Sequence, residues 1–109
     1  MRRVILESPF AGDIERNIAY ARQCVRDCLS RGEAPIASHL LFTQDGILCD
    51  GVASERQLGI AAGLAWVAYA EASVVYIDHG ISSGMLRGID AATEARIPVE
   101  FRRILAGEV

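Results

Sequence analysis

The stretch Ala-Ser-Val-Val-Tyr-Ile-Asp-His-Gly-Ile-Ser-Ser-Gly-Met-Leu-Arg, residues 72–87, constrains this chain more than any other. Residues 73–77 are β-branched or aromatic after the first serine and lack polar alternation, the pattern of a central strand covered on both faces. Asp78, His79 and Gly80 stop it, and Ser82 or Ser83 then offers a cap for a helix beginning near Gly84. The free N–H groups and positive dipole end of such a helix suit a phosphate or a carboxylate. A capped helix that binds nothing is the plain structural alternative.

A central strand needs neighbours, and the chain supplies three. Val-Ile-Leu within residues 3–7 reads as a first strand, broken by Ser8-Pro9-Phe10-Ala11-Gly12. A helix starts at Asp13 and ends at Gly32; Ile14, Ile18, Ala21, Val25, Cys28 and Leu29 recur at helical spacing as its inward face. A second strand is expected at residues 35–38, with His39 at its carboxyl end. Residues 40–53 form an irregular, apolar segment of the length that usually serves a site or an interface. Ser54-Glu55-Arg56-Gln57 fits a capping box, and residues 58–70 make an uncharged helix in which Gly59 and Gly63 permit close approach of the sheet or of a symmetry-related helix.

The window 58–77 carries Glu71 as its single charge, yet it changes from helical to strand character at Ser73, so it divides into two short elements and a membrane span is rejected. A last helix covers residues 84–96, with Met85, Ile89, Ala92 and Thr93 inward. A last strand, 97–101, carries Pro98 at its start, as an edge strand tolerates. The order β-α-β-α-β-α-β predicts an α/β fold, a three-layer sandwich around a four-stranded parallel sheet.

Composition narrows the partners. A chain of 109 residues with 51% hydrophobic and 23% charged residues is one globular domain, 1–109, small enough that an oligomer helps to bury its apolar surface. A net charge of -3 without a basic stripe excludes a nucleic-acid backbone as partner; Arg2-Arg3 and Arg102-Arg103 read as solvated strand ends. Three cysteines and no secretory signal point to a reducing cytoplasm. Cys24 and Cys28 share a helical face, but with His39 and Cys49 as the remaining soft ligands no metal site is expected, and no cofactor.

In open parallel sheets ligands sit beyond the carboxyl ends of the strands. Three loops converge there, 8–13, 39–53 and 78–83, and bring Ser8, Phe10, His39, Asp78, Ser82, Ser83 and Gly84 within reach of one small molecule. Each has a structural alternative: Phe10 plugs the core, His39 caps a strand, Asp78 holds the next turn.

Ser8-Pro9-Phe10 after the first strand, His39 after the second, and Asp78 through Met85 followed by Ile97-Pro98-Val99 resemble the nucleoside 2-deoxyribosyltransferase-like superfamily, in particular a small phage and bacterial branch. The resemblance implies a Rossmann-like sheet, a nucleoside or nucleotide ligand, a Ser-x-Gly loop holding a 5′-phosphate, here Ser82 to Met85, and assembly into dimers or larger rings. It also implies a glutamate just inside the helix after the glycine, attacking the anomeric carbon. Here Gly84-Met85-Leu86-Arg87-Gly88-Ile89 holds no carboxylate before Asp90, which the helical periodicity turns outward. Glu7, Glu55 and Asp78 are the possible substitutes, with Asp78 and Glu55 placed first. Two function classes follow: an enzyme acting on the N-glycosidic bond of a nucleoside monophosphate, as an N-glycosidase or deoxyribosyltransferase, or a catalytically silent module that sequesters or senses a nucleotide.

Overall fold

The computed structural model describes residues 1–105. Strand β1 (Arg2–Glu7), helix α1 (Ile14–Ser30), strand β2 (Glu33–Ile36), a single-turn helix α2 (Ser38–Leu41), helix α3 (Ala53–Leu64), a 3-10 turn (Val67–Tyr69), strand β3 (Ala72–Tyr76), helix α4 (Ser83–Glu94) and strand β4 (Val99–Arg102) follow one another. All pairings are parallel, in the order β2-β1-β3-β4. The chain steps from β1 outward to β2 on one side and from β3 outward to β4 on the other. The strand order therefore reverses between β1 and β3, and the crevice beyond their carboxyl ends is the natural ligand position.

Every residue of β3 is buried, as its unbroken apolar run requires. Alternation along β1 divides its side chains between two layers. Val4 and Leu6 join Tyr20, Cys24, Cys28, Val74 and Tyr76 beneath α1, whereas Ile5 packs with Val67 and Ala92 on the opposite face. Glu7, two residues on, shares the face of Ile5.

Helix α1 is capped by Asp13, whose carboxylate accepts from the Arg16 N–H at 3.3 Å, and Gly32 follows it at φ +77°, a left-handed turn that glycine takes without strain. Its buried stripe is Asn17, Tyr20, Ala21, Cys24 and Cys28. Ile14 and Leu29, expected inward, are exposed. Asn17 is inside because its amide donates to the Phe10 and Ala11 carbonyls, at 2.9 and 3.0 Å, and so fixes the β1–α1 loop. In α4 the buried residues are Met85, Gly88 and Ala92; Thr93, expected inward, is exposed and its hydroxyl returns to the Ile89 carbonyl of its own helix.

Residues 53–70 depart most from expectation. The second strand ends at Ile36, and Ala37 opens the turn of α2, so His39 rides on a helix rather than a strand end. Helix α3 begins at Ala53, five residues before the expected Leu58, and Val52 holds the cap position without a side-chain bond. The Ser54 capping box therefore does not form; Glu55 instead accepts from the Cys49 N–H at 2.8 Å and pins the preceding loop. The helix stops at Leu64 because the chain tightens to a 3-10 turn that carries Val67, 3% exposed, into the core. Gly63 admits Ser38 of α2, and Gly59 admits the Leu48 side chain, so these glycines serve contacts within the chain. Among the described residues no helix is long and apolar enough to cross a membrane.

A buried ionic cluster ties the ends of the sheet together. Arg102 bonds Glu33 through both oxygens, at 2.8 and 2.7 Å, and reaches the Tyr76 hydroxyl at 3.2 Å; that hydroxyl donates to Asp27 at 2.7 Å. The Arg102 hydrogen bonds hold the Glu33 carboxyl below its ordinary range against the opposing effect of burial.

Candidate functional site

An open cleft lies beyond the carboxyl ends of β1 and β3, holding about 980 Å³ of non-protein space, the solvent at its mouth included. Its walls come from the end of β1 and the loop after it (Glu7, Ser8, Phe10), from α2 (Ser38, His39), from α3 (Glu55, Arg56, Ile60) and from the start of α4 (Ser82 to Met85, Arg87, Gly88).

Seven of the expected binding residues meet there: Ser8, Phe10, His39, Ser82, Ser83, Gly84 and Met85. Ser8 Oγ lies 2.6 Å from His39 Nε2, and the Phe10 ring meets the His39 ring edge-on at a centroid distance of 6.5 Å. Burial disfavours the imidazolium and pushes the His39 pKa down to about 4, so the ring is neutral at physiological pH.

The α4 N-terminus is half used. Ser82 Oγ accepts from the Met85 N–H, and the Met85 sulfur accepts from the Ser82 N–H, each at 3.3 Å. The N–H groups of Ser83 and Gly84, the first two of the helix, stay open to a ligand. Arg56 of α3 and Arg87 of α4 line, with Ser83 and Gly84, a second recess that continues the cleft. Neither arginine has an ion pair or hydrogen bond among the described residues. Guanidinium and helix-terminal N–H groups are donors of the kind that oxyanions accept from, and the Asp50 carboxylate lines the same recess.

The carboxylates fall out differently from expectation. Asp78 does not line the cleft. It accepts from the Tyr20 hydroxyl at 2.6 Å and from the Ile104 and Leu105 N–H groups at 3.0 to 3.2 Å, and so anchors the segment after β4. Burial alone would raise its pKa; these donors outweigh burial and hold it below the ordinary value. Glu55 lines the cleft with one oxygen committed to Cys49. Asp90 is exposed on the outer side of α4.

Glu7, the lesser of the three substitutes in the sequence, lines the cleft wall with no hydrogen-bond partner among the described residues, as does Asp50 of the loop before α3. Desolvation raises its pKa from 4.5 to about 8. The signal that singles it out is period-two alternation: on the central strand β1, Glu7 must follow Ile5 toward α4. Arg56 and Arg87, not singled out from the sequence, lacked any local mark because their meeting depends on how α3 packs on α4. Among the described residues no group of three or more His, Cys, Asp or Glu gathers as a metal site needs. Burial raises the pKa of the Cys24 thiol to about 12, which leaves it inert.

Residues 2–102 match the family described as "Domain of unknown function (DUF7768)". The chain belongs to that family. No curated protein matches it. Among solved structures it is similar to the 2-deoxyribosyltransferase from the psychrotolerant bacterium Bacillus psychrosaccharolyticus, with a TM-score of 0.65 and 18% identity over 98% of this chain and 76% of the other. At that identity the likeness establishes a shared fold, the Rossmann-like parallel sheet with helices on both faces.

Proposed function

We propose that this protein binds a nucleoside or nucleotide in the cleft and acts on the N-glycosidic bond of a nucleoside 5′-monophosphate. The observation that carries the reading is the pairing, in one cleft, of an arginine-flanked helix N-terminus with an unpartnered carboxylate at Glu7. A phosphate monoester fits the first, with its oxygens on the Ser83 and Gly84 N–H groups and its charge on Arg56 and Arg87. The apolar wall at Phe10 offers a face for the base, and Ser8 and His39 offer hydrogen bonds to sugar hydroxyls. The fold shared with a 2-deoxyribosyltransferase supports a nucleoside as the ligand class.

Asp78 and Glu55 keep structural duties, so the chemistry falls to Glu7. A second reading, a catalytically silent nucleotide-binding module, draws on the same commitments: two of the carboxylates near the cleft serve loops, and α4 brings none of its own before Asp90. Assembly through the apolar surface of residues 58–70 belongs to either reading.

A thermal-shift screen of nucleosides and their mono-, di- and triphosphates tests the ligand class, since a ligand that binds the native state alone raises its melting temperature. Monophosphates should give the largest shift, and Arg56→Ala or Arg87→Ala should reduce it. Chromatography of the incubated hits for free base separates the enzyme from the silent binder. No shift with any nucleotide would sink both readings.

A further inference from the structure

Glycine at position 88 is the second half of the Glu7 site. Gly88 is buried in the middle of α4, where glycine costs a helix about 1 kcal/mol relative to alanine. A β-carbon built there would overlap the Glu7 carboxylate, closer than van der Waals contact to both oxygens and to the carbon between them. Positions 7 and 88 therefore compete for one volume: a side chain at 88 requires the Glu7 carboxylate, the far end of a flexible side chain, to swing out of it. The chain fills that volume from β1 and empties it on α4, which sets a carboxyl group against the helix backbone, one turn beyond the open Ser83 and Gly84 N–H groups.

On the nucleotide reading above, we propose that Glu7, seated in the space left by Gly88, is the general acid of the reaction, giving its proton to the base nitrogen as the C1′–N bond breaks. The bonding pair stays on that nitrogen, which takes the Glu7 proton. A water oxygen bonds to C1′ and passes its proton back to the Glu7 carboxylate. Free base and sugar 5′-phosphate leave with the carboxyl restored.

Such a role needs a carboxyl that is neutral at working pH, and the seat supplies one. It is half-buried against α4, no N–H or O–H donor among the described residues bonds the anion, and burial raises the pKa to about 8. The other titratable groups on the cleft walls are His39 on α2, Asp50 before α3, Glu55 and Arg56 on α3, and Arg87 on α4; none bonds to Glu7 among the described residues.

Two experiments judge the proposal, one of them without any nucleotide. In the first, the Glu7 carboxyl carbon is titrated by NMR in the unmodified protein and in Gly88→Ala. The new methyl must expel the carboxylate, so the midpoint should fall from about 8 toward 4.5 and the melting temperature should drop, with stability regained in Glu7→Ala/Gly88→Ala. An unchanged midpoint in Gly88→Ala overturns the shared seat.

In the second, adenosine, guanosine, cytidine and uridine 5′-monophosphates and their 2′-deoxy forms are incubated with the unmodified protein and with Glu7→Gln, a shape-preserving change whose folding is checked by its melting curve. Glu7→Gln should keep the nucleotide-induced shift and lose base release by about 100-fold or more. For the unmodified protein kcat/KM should fall about tenfold per pH unit above about 8. Base release from Glu7→Gln within threefold of the unmodified rate, or a rate that rises as Glu7 ionises, overturns the acid role and leaves the nucleotide reading standing. Absence of base release from the unmodified protein with every monophosphate overturns the hydrolytic reading and the acid role together, while the titration still decides the seat.

Discussion

Glu7 and His39 face the same cleft and respond to pH in opposite senses. Both are neutral when buried, but one reaches neutrality by holding a proton and the other by shedding one. The folded state raises the Glu7 pKa from 4.5 to about 8, so it binds that proton more tightly than the unfolded chain does. The stability linked to it is full at low pH and is lost as pH climbs from 4.5 through about 8. His39 falls from 6.5 to about 4, so its contribution is full above 6.5 and is lost as pH drops through about 4. The two slopes oppose one another between 4.5 and 6.5, and above 6.5 Glu7 alone remains. Melting temperature should therefore decline between pH 6.5 and 8 in the unmodified protein and stay level over that interval in Glu7→Gln. A difference of about 1 kcal/mol corresponds to a shift of about 4–8 °C in a domain of this size, well within calorimetric reach. Parallel pH curves for the two proteins would mean that Glu7 is solvated and ordinary.

At the level of elements, the approach of α3 to α2 decides where His39 stands. A β-carbon at position 63 would collide with the Ser38 hydroxyl and β-carbon, and Ser38 opens the helix that carries His39. Gly63→Ala should cost about 1–3 kcal/mol of stability, as overpacked sites do, and should weaken nucleotide-induced stabilisation; Ser38→Gly in the same chain should recover both. Chemical denaturation of the single and double variants measures the first, and thermal shift the second. A second prediction concerns β3. The Ser73 hydroxyl is buried with no partner among the described residues, so Ser73→Ala removes an unsatisfied group and should leave the fold unchanged or stabilise it by up to about 1 kcal/mol.

These elements also mark what the sequence could and could not disclose. The unbroken third-strand run, expected at 73–77 and found at Ala72–Tyr76, the helix start at Asp13, which is its cap, the Gly32 turn, and the choice of Ser82 or Ser83 as cap, which falls to Ser82, are local signals. The α3 start and stop were misread because Ser54 and Gln57 satisfy a local cap pattern, while the real boundaries answer to distant partners: Glu55 to Cys49, Gly63 to Ser38 and Val67 to the core. At the end of the central strand Asp78 has the local marks of a carboxylate facing a ligand, and nothing local announces the Ile104 and Leu105 N–H groups, 26 and 27 residues on, that claim it. The Glu7–Gly88 pair lies 81 positions apart and has no local signature at all; it exists because β1 and α4 meet across the sheet face.

On the scale of the whole molecule, helix α3 leaves an account to close. Its sequence is nearly uncharged after Arg56, yet none of its twelve residues is buried in the single chain. Leu58 is 59% exposed, and beyond the helix Trp66 is 50% and Tyr69 73% exposed, while Val52 and Ile47 add to the same part of the chain. Aromatic and aliphatic side chains gathered in this way on one segment form the kind of patch that soluble proteins cover with another subunit. The cleft is built partly from the same helix, through Arg56, Gly59 and Ile60, so an assembly through residues 58–70 would brace one wall of the site. Ala65 and Ala68, both exposed, are the positions at which to test this, because a glutamate there faces solvent in the monomer at almost no cost and desolvates a charge in an assembly. Analytical ultracentrifugation of the unmodified protein at micromolar concentration should show a dimer or larger species, and Ala65→Glu or Ala68→Glu should shift it toward 11.8 kDa while the far-UV spectrum is retained. A single species of 11.8 kDa for the unmodified protein would remove the interface, and the α3 wall would then stand on its contacts within the chain, with α2, α4 and the loop before it.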